Sequence, residues 1–123
     1  MRYFISPSEK TDWRISRDAF AKELLMQWPE AHIEMITNFQ SLHALAWTLQ
    51  IGEWRLDGTL TKDANVVHLD GDIRACATFA LWFRSRVPTE QDLLFYDEGY
   101  SADVPLLLET TKAELVAHFL DFM

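Results

Sequence analysis

Hydrophobic and polar positions along this chain change period several times, and each change predicts an element. Arg2 to Ser6 is a short apolar and aromatic run that reads as a first strand closed by Pro7. After a polar loop over 8–14, Ser16 offers an N-cap with Ile15 and Phe20 at the staple positions on either side of it. Phe20, Leu24 and Trp28 then recur at i, i+4 and i+8, which sets them on one helical face that Leu25 widens, and Pro29 stops the helix. From Ala31 the period drops to two. AHIEMIT reads as a strand, and so does HALAWTLQI, where Leu45, Trp47, Leu49 and Ile51 alternate with smaller or polar residues. Beyond Gly52, Trp54, Leu56 and Leu60 continue such a row opposite Arg55, Asp57 and Thr59 on the wet face; a turn over 62–65 then leads into the returning strand VVHLD.

Asp72 is placed to cap a second helix from Ile73 to about Arg86, whose apolar surface of Ile73, Cys76, Ala77, Ala80 and Phe83 or Leu81 predicts a central position in the core. Arg84 and Arg86 fall where they complement the helix dipole, and Pro88 lies just past the stop. DLLFY and VPLLL read as two further strands around the stretch LFYDEGYSADV. Pro105 predicts an edge position because it cannot donate to a ladder. Thr111 and Glu114 form a capping box for a last helix with Leu115, Val116, Phe119 and Leu120 inward. The predicted class is α+β, in the order βαβββ(β)αβ(β)α: an antiparallel sheet of about five to six strands with helices packed on one face. With 123 residues and no linker-like tract, the chain is expected to form one globular domain, 1–123.

Composition narrows the function classes. A net charge of −8 opposes approach to nucleic-acid phosphate or an anionic membrane surface, so neither is an expected partner. No apolar run reaches the roughly 18 residues of a membrane helix, the opening residues do not form a secretory core, and Cys76 stands alone; the expected location is the cytoplasm. The acids are unevenly spread: Val87 to Thr111 holds Glu90, Asp92, Asp97, Glu98, Asp103 and Glu109 with no Lys or Arg. A second base-free segment, Glu23 to Trp54, holds Glu23, Glu30, Glu34 and Glu53. If such acids share a surface, its field favours a cationic partner; otherwise they only keep the protein soluble.

Candidate chemistry is sparse. In HLDGD, His68, Asp70 and Asp72 would project to one side of an extended strand like a metal-ligand set, but Asp72 is better used as a helix cap and Asp70-Gly71 as a turn. Cys76 sits among small apolar neighbours, the setting of a core thiol and not of a reactive one. His32, His43, His68 and His118 belong to no catalytic or zinc motif, and no phosphate loop is present. No cofactor or metal is expected. What turn geometry does not explain is Tyr96, Asp97, Glu98, Tyr100 and Asp103, although Asp97 and Gly99 also suit a chain reversal alone. Tyrosines beside carboxylates supply rigid area and select a basic partner, which makes these five residues the candidate partner-binding set.

Three functions are compatible with this pattern. The first is a small acidic protein-binding module, in its sharpest form an inhibitor or immunity-type protein that offers acids where a basic target, such as a nuclease toxin, expects phosphates. In size, acidity and α+β pattern the chain looks like bacterial immunity proteins, without matching a family motif. The second is a small carboxylate-based hydrolase in which Asp97, Glu98, Asp103 and His68 converge in a cleft. The third is a structural subunit or homodimer in which a partner buries the Pro105 edge strand or the exposed face of the meander.

Overall fold

A computed structural model describes residues 2–38, 40–99 and 103–120, the side chain of Leu120 excepted. Ten elements follow one another: β1 (Arg2–Pro7), α1 (Arg17–Gln27), β2 (His32–Met35), β3 (His43–Ile51), β4 (Trp54–Thr61), β5 (Val67–Asp70), α2 (Ile73–Ser85), β6 (Leu93–Asp97), β7 (Asp103–Pro105) and α3 (Lys112–Leu120). The class is α+β, with one antiparallel sheet ordered β2-β3-β4-β5-β1-β6-β7. The sheet has seven strands instead of five to six: every segment read as a strand pairs, including the short outer ones β2 and β7. VPLLL is a strand only as far as Pro105: Leu106 stays buried and its N–H still reaches the Leu93 carbonyl at 2.8 Å, while Leu107 and Leu108 turn outward.

Period-two alternation divides the sheet into a core face and an open face. Tyr3 and Ile5 of β1, Leu45, Trp47 and Leu49 of β3, Leu56 and Leu60 of β4, Val67 and Leu69 of β5 and Leu93 and Phe95 of β6 are buried against the helices. Phe20 and Leu24 of α1 are fully enclosed, Phe20 lying edge-on to Trp47 with ring centres 5.6 Å apart. Leu25 departs from expectation: it is 44% exposed, since the 3.6-residue period carries it past the buried stripe. In α2, Asp72 caps the first turn by accepting from the Arg74 N–H at 2.8 Å, and Cys76 is buried in the core, where desolvation pushes its thiol up to about 12. Phe119 of α3 sets its edge against Tyr3 and Phe95.

Arg84 does more than complement the dipole at the end of α2. It is buried, and its guanidinium donates to the carbonyls of Pro88 (2.6 Å), Gln91 (2.7 Å), Val87 (3.3 Å) and Leu106 (3.4 Å). One planar fork thus ties the end of α2 to the chain entering β6 and to the exit of β7. Among the described residues, no helix is long and apolar enough to cross a membrane.

Candidate functional site

The described helices pack on the core face, and the described side chains of the other face are exposed or half-buried. The strand registers align its side chains in two rows. One runs Glu34, Ala46, Thr59, His68, Phe4, Tyr96, Asp103 across all seven strands. The other runs His32, Thr48, Asp57, Asp70, Arg2 and ends at Glu98, whose N–H reaches the Arg2 carbonyl at 3.0 Å just past β6. Small side chains in the middle of the sheet, Ala46, Thr48 and Thr59, stand between taller ones, His32 and Glu34 on one side and His68, Phe4 and Arg2 on the other. The result is an open trough of about 540 Å³.

Three rings, Phe4, His68 and His43, stand in the wall of this trough, and a fourth, Tyr96, stacks on Phe4 outside its lining. Tyr96 stacks on Phe4 with centres 5.4 Å apart and planes 26° from parallel. Phe4 meets His68 edge-on at 4.8 Å, and His68 meets His43 edge-on at 5.3 Å. Ser6 Oγ donates to the Tyr96 hydroxyl at 3.1 Å, which fixes the outer ring. Partial burial, the neighbouring His43 and then Arg2 lower the pKa of His68, so its neutral form is favoured within the wall. On the floor, Asp57 accepts from Thr48 Oγ1 at 2.7 Å and pairs with Arg55 at 3.2 Å. Acids predominate on the face: Glu34, Asp57, Asp70, Glu98 and Asp103 against Arg2 and Arg55.

The five residues singled out in the sequence are separated by strand alternation. Tyr96 and Asp103 are Cα partners on the open face, and Glu98 is exposed at its rim. Asp97 points the other way; it is 7% exposed and is the Cα partner of Tyr3, whose hydroxyl is pushed up to about 12 by burial first and then by Cys76, Asp97 and Asp72. Tyr100 lies outside the described residues. His68 shares the row of Asp103 but stands three strands away, about 14 Å at ordinary strand spacing, so these acids and His68 do not gather in one cleft. His68 and Asp70 project from one side of β5 as the spacing predicted, with Asp72 taken by the cap. Among the described residues no group of three His, Cys, Asp or Glu side chains is placed to hold a metal ion.

Arg2, Phe4 and Asp57 are face residues that sequence spacing did not single out as a site; Glu34 entered only as one of a base-free run of acids and Asp70 only through the metal-like spacing of HLDGD. Their signal is present in the strand alternation, but only the register brings residues so distant in sequence into one row. No family model, curated protein or solved structure matches this chain.

Proposed function

We propose that the protein is a small acidic binding module that captures a basic protein partner on the open face of its sheet, with Tyr96, Glu98 and Asp103 at the acidic, aromatic end of that surface. The observation that carries the reading is the row of seven side chains crossing a face that no described helix covers, acidic at both ends and aromatic at its centre. Phe4 and Tyr96 supply rigid contact area whose ordering is already complete in the free protein. Five carboxylates against two guanidiniums, one of them engaged by Asp57, give a field that steers a cation-rich surface onto the face. Arg84 is occupied by backbone carbonyls, so the acidic loop beyond β6 is not needed to neutralise it. The sharpest form of the proposal is an inhibitor or immunity-type protein whose acids occupy the phosphate-binding surface of a basic enzyme.

The test is a titration of the full chain with a lysine-rich polypeptide at low salt, followed by amide chemical shifts. Shifts should run along the two rows and weaken as salt is added. The double variant E98Q/D103N should bind about tenfold more weakly, the order expected for two rim charges, with an unchanged thermal midpoint. Shifts centred on the helices, or equal binding of a glutamate-rich polypeptide, would overturn the proposal.

A further inference from the structure

The two edges of the sheet are not alike. β7 is three residues long, carries Asp103 and ends in Pro105, features that discourage another strand from pairing there. β2, with the sequence HIEM, has neither proline nor lysine. The Ile36 N–H donates to the Ala44 carbonyl at 3.0 Å, which fixes the phase of the β2–β3 ladder: His32, Glu34 and Ile36 turn their backbone groups toward β3, while Ile33 and Met35 turn theirs outward. The outward edge therefore offers the N–H and C=O groups of two consecutive outward-facing residues.

We infer that β2 pairs antiparallel with β2 of a second copy of this chain, about a two-fold axis at Ile33. That register is selected by charge. It sets His32 directly opposite Glu34 of the second copy, and Glu34 opposite its His32, in positions without backbone bonds where cross-strand side chains come closest. Sliding the copies by two residues in one direction sets Glu34 against Glu34, and in the other sets His32 against His32. Among the described residues neither the His32 nor the Glu34 side chain has a hydrogen bond or ion pair within its own chain, so both side chains are available for the contact.

Backbone complementarity follows from the same register. Ile33 exchanges two N–H to carbonyl bonds with its own copy, and the Met35 N–H of each chain reaches the Ala31 carbonyl of the other. The Ala31 N–H takes no part because it already donates to Trp28 at 2.9 Å. On the core side the seam places half-buried Ile33 against Ile33, flanked by Met35, which is 41% exposed. Two seven-stranded sheets become one of fourteen, and the acidic open face is presented twice on one side.

Sedimentation equilibrium of the full chain at about pH 5.5, where an ordinary imidazole is protonated and an ordinary glutamate ionised, with no partner present, tests the inference. The wild type should associate reversibly from 14.3 kDa to twice that mass, with a dissociation constant on the order of 10 µM for so small a contact. E34K turns two symmetry-related attractions into repulsions and should raise that constant about tenfold. H32E should do the same, and the double variant H32E/E34K should restore the wild-type value. Circular dichroism confirms that each variant is folded, and H32K, which strengthens the contact, should tighten association if either single variant is not. A wild type that keeps the mass of one chain at about 500 µM, far above the expected constant, overturns the inference. So does a dimer indifferent to both single variants. Capture of the lysine-rich polypeptide is read separately, since both rows lie within one copy and would still bind it if association failed.

Discussion

Replacing Gly58 by Ala tests the packing on which the open face rests. Gly58 and Trp47 are Cα partners on β4 and β3, and the indole of Trp47 lies across the position where Gly58 has no side chain. A Cβ there would stand 2.3 Å from Cε2 and Nε1 and 2.6 Å from Cζ2 of Trp47, far inside van der Waals contact. The ring cannot retreat freely, because Phe79 stacks on it at 5.4 Å and Phe20 meets it at 5.6 Å. Gly58 does not occupy the left-handed region, so alanine meets no backbone strain and gains about 0.7 kcal/mol over glycine through the unfolded chain. Overpacking against an enclosed ring costs roughly 3 kcal/mol, leaving a net loss of about 2 kcal/mol and a fall in thermal midpoint of about 8 °C for a domain of this size. The assay is thermal and urea unfolding followed by tryptophan fluorescence, for G58A, W47F and the double variant. In the W47F background the smaller ring makes room, so G58A should be neutral or slightly stabilising and the coupling energy should be about 2 kcal/mol. An equal cost of G58A in both backgrounds would refute the packing argument.

Two further outcomes follow from buried polar groups. R84M removes a guanidinium from four backbone carbonyls and should cost about 3 kcal/mol in urea unfolding, with R84K recovering only part because an ammonium cannot span them; a loss below about 1 kcal/mol would show that the carbonyls do not need the fork. His68 titrates below its ordinary 6.5 in the folded protein, so the folded state resists protonation; its contribution to stability is present above pH 6.5 and is lost as pH falls through the lowered value. H68Q should therefore flatten the decline in stability just below pH 6.5, while the acid-range decline that begins near pH 3.8, to which Asp72 contributes through its lowered pKa, remains; an unchanged slope below pH 6.5 would contradict the wall geometry around His68.

Most of the fold was legible because the chain keeps a clean period wherever an element is long. β3 begins and ends at the residues the alternation predicted, α2 starts at its predicted cap, and the edge position of Pro105 follows from its missing N–H. The errors lie where period is short or overridden. β2 and β7, read as strands over AHIEMIT and VPLLL, keep only four and three residues, because so short an alternation does not locate a strand's ends. Arg84 sits at a position where charge and helix end suggest exposure, and only the tertiary approach of the 87–91 segment and Leu106 makes it a buried clamp. Sequence adjacency misled most at the acidic stretch, since Tyr96 and Asp97, neighbours in the chain, occupy opposite faces of the sheet.

That separation bears on how a surface charge can be read at all. A run of acids within one strand cannot act together, because each successive side chain crosses the sheet, and here it sends Asp97 into the interior side. The acids that do share a face are drawn from five different places in the sequence, Glu34, Asp57, Asp70, Glu98 and Asp103, and are spread across one face of the seven-stranded sheet by register alone. Such an arrangement is costly to hold without a partner, since like charges on neighbouring strands repel and Phe4 and Tyr96 remain partly wetted beside them. A cation-rich surface would relieve both terms at once, screening the carboxylates and covering the rings. The face is thus expected to gain most from a partner that brings positive charge and excludes water in the same contact.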